Sequence, residues 1–529
     1  MMRATHPPEL SGGSTSREIT TAGWFKGFLL SAPLWVGMLI IILYQIGGTP
    51  SPSKALVVAH VCVYSMSVIA LLWMWYVRRR YYEDLGWVFL LVGHLAWFGL
   101  PALYQAVAPG IWFGDWVSIE IPNGALLTAS LLISLFLFAN GVGYHLIKRN
   151  MRKKGVVPSV PKECLVERDH RLMLVILIFL IGLIPYLLFG GSLTEVVVGV
   201  LAGRADKAWA VSPESGYEGN MLNTLFWLTR AFLLSSGVLS GCYLVSTLKL
   251  SRVEKAAYFL IFLLVAALVY FDQGTRSILL LCVVPVFVLY VLRRTQSGLG
   301  FSRSRLLVLG VTGASVLLAL TQVQMYFRLE RTRDSLTESS ISELLSPRQQ
   351  NDFFSETAIA VVVHDSLPHG ELRESPLLFF VVNPIPRALW PNKPMPETMW
   401  HYSSHRWGVD IWDKGGNALP SVVGQYYIDW GIAGVLWAGL MYGMFAAWME
   451  RVATGRRQYY EFVALGLSGM AFMLISFRFL APGFHYSTLI LAVILLIYFK
   501  LNKRSNKSLG GSTFSLHTGG HAPALRARR

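Results

Sequence analysis

Long apolar stretches separated by short polar segments dominate the hydrophobic pattern of this chain. Each stretch holds about 20 residues, the length that an α-helix needs to cross a hydrocarbon core of about 30 Å. The pattern predicts an all-α polytopic membrane protein with about 12 transmembrane helices. We place these helices at about 24–46, 54–77, 85–107, 123–148, 171–190, 221–248, 254–271, 275–292, 304–327, 420–449, 459–479 and 484–500.

One predicted connection is much longer than the others, because residues 329–419 separate the ninth helix from the tenth. Loops of this length are usually functional or disordered. This one is rich in Phe and Trp and includes a helix-like run at 352–363, so we expect a folded cap over the bundle. The predicted division is an N-terminal tail at 1–23, helices 1 to 9 at 24–328, the large loop at 329–419, helices 10 to 12 at 420–501 and a disordered tail at 502–529.

The basic residues predict an orientation in the membrane. The connection at 148–171 carries eight Lys and Arg residues, whereas the one at 108–122 carries none. Because cytoplasmic loops are enriched in Lys and Arg, we expect both termini in the cytoplasm and the large loop outside it. The net charge of +16 follows from this asymmetry, so we expect no nucleic-acid partner.

Composition excludes several other classes of protein. Hydrophobic residues make up 54% of the chain and charged residues only 14%, whereas an average soluble protein has roughly 25% charged residues. The four cysteines lack the spacing of a disulfide framework or a zinc site, and the polar first 23 residues lack the apolar core of a removable signal peptide. We expect neither a structural metal nor a cofactor.

Cations in the outer half of the predicted bundle point to an anionic ligand. Arg276 opens a helix two residues after Gly274, so its guanidinium and the helix N-terminal amides can receive an anion together. An interfacial Arg, or an ion pair with Asp272, is the alternative. Arg478 also falls within a predicted span, where a charge requires a polar cavity or a partner.

The stretch NPIPRALWPNKP at 383–394 holds four prolines around Arg387 and Lys393. Proline fixes φ and restricts the residue before it, so the stretch is predicted to be stiff and to present two cations at a set separation. Such a strap suits a phosphate or diphosphate, because Arg offers two parallel donors to it. A purely structural strap is the alternative.

Three motifs, in this order, resemble the oligosaccharide repeat unit polymerases, the Wzy-type or O-antigen polymerase-like proteins. They are GTRS at 274–277, the strap at 383–394, and SVVGQYYIDWGIAG at 421–434. The resemblance implies a metal-independent glycosyltransferase of the C-type, with a helix bundle and a large outer loop. Its substrates would be polyprenyl (undecaprenyl) diphosphate-linked oligosaccharides on the outer face of the bacterial inner membrane, and its product an O-antigen, capsule or exopolysaccharide.

This chemistry needs cations for the departing diphosphate and a base for the attacking sugar hydroxyl. For the diphosphate we select Arg276, Arg387, Lys393 and Arg478, followed by Arg328 and Arg331 at the exit of the ninth helix. The candidate bases are His364, His401, His405 and Asp410, with Asp365 also considered. Trp390, Trp400 and Trp407 are candidates for stacking on sugar rings, although an interfacial aromatic belt or the core of the cap explains them as well.

Two other functions share part of this pattern. A ligase that moves finished glycan to another acceptor has the same physical requirements. A transporter of polysaccharide or lipid-linked sugar is expected to show an internal repeat and midplane charges, and we find no convincing repeat. A flippase and a chain-length regulator are candidate protein partners, beside the lipid bilayer itself.

The predicted orientation is testable by labelling single cysteines from outside the cell. A cysteine replacing Ser340 should react with a membrane-impermeant maleimide, and one replacing Met151 should react only after permeabilisation. The reverse pattern would place every candidate residue of the large loop on the wrong side of the membrane.

Overall fold

The computed structural model describes residues 15–77, 84–107, 121–153, 168–189, 221–246, 248–273, 276–296, 353–366, 385, 390, 402–406, 420–455, 459–478 and 488–497. All regular elements in these ranges are helical. A π-helical turn, Leu95–Gly99, joins α3 to α4. The helices are α1 Thr15–Ile46, α2 Lys54–Val77, α3 Leu85–His94, α4 Leu100–Val107, α5 Asn123–Lys153, α6 Arg168–Phe189, α7 Met221–Val245, α8 Arg252–Gln273, α9 Arg276–Gln296, α10 Phe353–Ser366, α11 Ser421–Thr454, α12 Tyr460–Ser476 and α13 Thr488–Ile497.

Several of these helices are long and apolar enough to cross a membrane, which confirms a multi-pass membrane protein. Within the described residues there are five such segments: Phe25–Ile46, Lys54–Val77, Leu85–Ala106, Asn123–Met151 and Ser421–Thr454. Helices occur at eleven of the predicted positions. The predicted helix at 304–327 and most of the large loop lie outside the described residues, so the total of twelve and the domain boundaries remain predictions.

Helices α5 and α11 pack with their backbones in direct contact, because glycines line their crossing. A Cβ added at Gly443 would lie 2.1 Å from the Asn140 carbonyl oxygen. One added at Gly143 would lie 2.2 Å from the Leu440 carbonyl oxygen. Small residues bring membrane helices close enough for extensive van der Waals contact, so this pair forms the centre of the bundle.

Helix α11 reverses direction at Gly431. The backbone there has φ 60° and ψ −148°, a conformation essentially restricted to glycine. The rings of Tyr426 and Trp437 are 6.0 Å apart, whereas eleven residues of straight helix would separate them by about 16 Å. The first arm of α11, residues 421–430, therefore folds back against the second arm, residues 432–454.

This reversal differs from the single continuous span predicted at 420–449. The second arm alone has about 23 residues and is about 34 Å long, which is enough to cross the hydrocarbon core. The first arm is instead a re-entrant helix, and its start lies inside the bundle rather than at the membrane surface.

Charged residues join α3, α5 and α11 at the end of the bundle that is predicted to be cytoplasmic. The Glu450 carboxylate is 1% exposed. It accepts hydrogen bonds from the Tyr144 hydroxyl at 2.5 Å and the Gly86 N–H at 2.9 Å, and it pairs with Lys148. Asp84 lies 3.4 Å from Lys148. A buried carboxylate requires such partners, so this cluster fixes how the three helices meet.

Polar side chains deeper in the bundle are paired as well. The two ring nitrogens of His94 hydrogen bond with the Tyr64 hydroxyl at 2.7 Å and the Asn140 amide nitrogen at 2.9 Å. His60 hydrogen bonds with Ser130 at 2.7 Å, and its other ring nitrogen lies 2.7 Å from a backbone carbonyl oxygen of α1. Because both histidines satisfy their ring nitrogens within the protein, we regard them as structural groups.

The contact between α5 and α11 is testable with a matched pair of glycine substitutions. Gly443→Ala should lower the thermal midpoint of the protein in detergent, because overpacking at such a contact costs roughly 1–3 kcal/mol. Gly27→Ala should not lower it, because a Cβ at Gly27 meets nothing within 4 Å and alanine favours the helix. Equal midpoints for the two variants, measured by differential scanning fluorimetry, would contradict the described crossing.

Candidate active site

Helix α10 belongs to the predicted large loop, yet most of it is buried. Residues 353–361 and Val363 are all buried. The helix packs against α5, α11 and the π-helical turn. Most of this segment is therefore enclosed by other parts of the protein, and the expectation of a folded cap over the bundle stays a prediction.

The starts of α10 and α11 lie side by side. The hydroxyl oxygens of Thr357 and Ser421 are 2.7 Å apart. The Ser421 hydroxyl accepts a hydrogen bond from the Gly424 N–H at 3.0 Å, the contact that an N-cap side chain commonly makes. Ser421 itself has a φ of 66°, which is unusual for a residue with a side chain. The surrounding contacts therefore hold the start of α11 in one conformation.

Arg478 lies at the same place, two residues after the end of α12. Its guanidinium carbon is 5.4 Å from the ring centroids of both Trp97 and Phe353. The Trp97 indole N–H donates a hydrogen bond to the Leu474 carbonyl oxygen at 2.6 Å, which fixes that ring. Two aromatic rings thus position the cation beside the start of α10. We call Phe353, Thr357, Ser421 and Arg478 the helix-start site.

The helix-start site lies well inside the bundle. The ring of Phe477, next to Arg478, is 4.9 Å from the His94 ring and 5.7 Å from the Phe136 ring. Phe136 is close to the middle of the Asn123–Met151 span. Arg478 is thus close to the middle of this span rather than at its outer end. An Arg at this depth is costly unless it serves a site, so it marks a functional candidate.

A carboxylate lies one helical turn along α10 from Phe353. Glu356 accepts a hydrogen bond from the Tyr402 hydroxyl, and its Oε2 is 3.3 Å from the Arg406 Nε. Burial, followed by the Glu356 carboxylate, raises the pKa of Tyr402 well above its usual value, while Arg406 opposes this shift. The Tyr402 hydroxyl therefore stays protonated as a donor. His405, a predicted base, lies in the same short helical segment, 402–406, and is half-buried.

The other described candidate base lies at the far end of α10. The His364 Nδ1 is 3.4 Å from the Ile428 carbonyl oxygen, and its ring centroid is 4.5 Å from that of Tyr427. Eleven residues of helix separate His364 from Phe353, a distance of about 16 Å. The structure therefore separates His364 from Arg478, although the sequence had grouped them in one site.

The remaining predicted site residues are only partly covered by the described structure. Arg276 is the first residue of α9, as predicted, but its side chain is outside the described part. Trp390 is 37% exposed. The predicted residues that lie outside the described ranges are Arg328, Arg331, Arg387, Lys393, Trp400, His401, Trp407 and Asp410.

Sequence reasoning missed Glu356. The residue is the one acidic group in the apolar run FFSETAIAVVV at 353–363. An acid surrounded by apolar residues on a buried helix needs a partner and is often functional. Assigning this run to an external cap hid that signal, because an acid on the surface of a cap needs no explanation.

Comparison with known proteins identifies a family. The model of the family O-antigen polysaccharide polymerase Wzy matches residues 34–506, nearly the whole chain. All three motifs that carried the sequence resemblance lie inside this range, so the resemblance is confirmed. No curated protein and no solved structure matches the chain.

The contact between the starts of α10 and α11 can be tested by a disulfide. After replacement of the native cysteines, Thr357→Cys combined with Ser421→Cys should crosslink under mild oxidation, because the native hydroxyl oxygens are in contact. Ser366→Cys combined with Ser421→Cys should not, since Ser366 lies nine residues, or about 14 Å, further along α10. Mass spectrometry of the joined peptides measures the extent of crosslinking for each pair. Equal crosslinking of the two pairs would contradict the site geometry.

Proposed function

Because the chain belongs to the O-antigen polysaccharide polymerase Wzy family, we propose that it extends a glycan held on a polyprenyl diphosphate carrier. The family makes this protein a repeat-unit polymerase of the membrane and a glycosyltransferase-type enzyme. In the proposed reaction, glycan passes from polyprenyl (undecaprenyl) diphosphate to a sugar of another lipid-linked unit. We assign the reaction to the periplasmic face of the bacterial inner membrane, with both termini in the cytoplasm.

The observation that carries this proposal is the position of Arg478 beside two helix starts inside the bundle. The N-terminus of a helix bears a partial positive charge and favours anions. An Arg guanidinium adds a full charge and a planar pair of donors for phosphate oxygens. The helix-start site thus suits a multiply charged anion whose apolar tail remains in lipid, as in a polyprenyl diphosphate.

The proposed chemistry is a displacement at the anomeric carbon of the donor. The acceptor hydroxyl oxygen attacks this carbon, the bond to the diphosphate oxygen breaks, and its electron pair leaves on the diphosphate. Arg478 stabilises the negative charge that develops there. We propose Arg276, Arg387, Lys393, Arg328 and Arg331 as further cations around the diphosphate.

A base must accept the proton of the attacking hydroxyl. Of the two candidates in the described structure, we favour His405 over His364. His405 belongs to the segment attached to Glu356, one turn from the start of α10, whereas His364 lies at the opposite end of that helix. His401 and Asp410 remain proposed bases. Trp390, Trp400 and Trp407 remain proposed sugar-stacking residues.

The proposal is tested by complementing a strain that lacks the gene. Arg478→Lys keeps the charge but loses the planar two-point contact, so polymer formation should fall by roughly 100- to 1,000-fold, as for loss of a transition-state donor. Arg451→Lys, an exposed residue at the other end of α11, should restore normal polymer. The measurement is the length distribution of the lipid-linked glycans.

The identity of the accumulated species separates the alternatives. Single lipid-linked repeat units on the outer leaflet support a polymerase. Long unattached polymer would indicate a ligase, and units trapped on the cytoplasmic leaflet would indicate a transporter. Normal polymer from Arg478→Lys would remove Arg478 from the mechanism.

A further inference from the structure

Glu356 connects two parts of the chain that are far apart in sequence. Its carboxylate accepts a hydrogen bond from the Tyr402 hydroxyl, and Tyr402 also reaches the Glu356 carbonyl oxygen at 3.2 Å. The Arg406 Nε lies 3.3 Å from Oε2 and 3.4 Å from Oε1. Both ends of the segment 402–406 are thus attached to a single side chain of α10.

These contacts are protected from water. The side chains of Glu356 and Arg406 are 9% and 13% exposed, and Tyr402 is fully buried. A buried ion pair contributes little net stability relative to an apolar packing, but breaking it by removing one partner is strongly unfavourable. Such a pair therefore acts chiefly by selecting one arrangement of the segment over others.

The carboxylate is poorly suited to act as the base itself, because its two oxygens already accept hydrogen bonds from Tyr402 and Arg406. His405, by contrast, lies between these two anchors in the sequence. Holding Tyr402 and Arg406 against α10 restricts where His405 can lie. Since Glu356 is only three residues from Phe353, about 4.5 Å along the helix, the restricted position is close to the helix-start site.

We propose that Glu356 is a positioning residue: through Tyr402 and Arg406 it fixes the segment 402–406, and with it His405, beside the helix-start site. This inference rests on the proposed polymerase function. It requires that substitution of Glu356 lower turnover more than affinity for the diphosphate. The reason is that the cation beside the start of α10 is Arg478, which is positioned by the rings of Trp97 and Phe353.

The test compares Glu356→Gln, Arg406→Gln and the double variant as purified full-length proteins with lipid-linked repeat units. Each single variant should lower kcat by roughly tenfold or more, because the buried ion pair between Glu356 and Arg406 is lost while one charge of that pair remains. Affinity for polyprenyl diphosphate should stay within about twofold of wild type. The double variant should recover to within about threefold of wild-type kcat, because two neutral amides can hydrogen bond in place of the ion pair.

Two further variants keep the test decisive. Tyr402→Phe removes one donor and retains the ring, so it should lower kcat by a few-fold even if Glu356→Gln does not fold. Glu254→Gln, at the start of α8, is the matched control and should be silent.

A double variant as inactive as Glu356→Gln would overturn the inference, since the carboxylate itself would then be needed. Wild-type kcat in Glu356→Gln or in Tyr402→Phe would also overturn it. If wild-type protein forms no polymer from these substrates, the proposed polymerase function fails instead. That result differs from the outcomes above, which would overturn the role of Glu356 alone.

Discussion

The reversal of the chain at Gly431 determines where the start of α11 lies. Without it, Ser421 would be about 31 Å from Tyr442 along a straight helix. Instead, the Val422 N–H donates a hydrogen bond to the Phe477 carbonyl oxygen at 3.0 Å, and the Phe477 ring is 6.0 Å from that of Tyr442. The conformation of Gly431 thereby places the start of α11 inside the bundle instead of at the membrane surface. This start lies next to Arg478, the residue that follows Phe477.

The position of α10 depends on this re-entrant arm. A Cβ added at Gly424 would lie 2.7 Å from the Ala360 Cβ, so the two helices pack closely side by side. Residues 353–361 of α10 are all buried, and the first arm of α11 supplies one wall of their surroundings. The enclosed helix then carries Phe353 to Arg478 and Glu356 to Arg406. Among the described residues here, two arginines, one carboxylate and two helix starts give a positive balance that suits a polyanion.

The sequence predicted the family and most helices, because both follow from local patterns. Apolar runs of spanning length locate helices within a few residues, and three motifs were enough to identify the polymerase family. It did not predict the reversal, since residues 420–449 were read as one continuous span and the sign of φ at Gly431 leaves no trace in a hydropathy profile.

The site was predictable in part. Arg478 was selected because a charge within a span is costly, and the structure places it beside two aromatic rings and the start of α11. Grouping His364 with Arg478 failed, because sequence cannot show that they lie at opposite ends of one helix. Glu356 was missed because its partners, Tyr402 and Arg406, lie about 50 residues away, and only tertiary structure brings such pairs together.

The central claim is that a diphosphate binds between the two helix starts, inside the membrane. An experimental structure of the protein with bound polyprenyl diphosphate tests it most directly. The account predicts phosphate oxygens within about 3 Å of the Arg478 guanidinium, next to Ser421. A diphosphate bound at the His364 end of α10, or outside the bundle with Arg478 uninvolved, would contradict it.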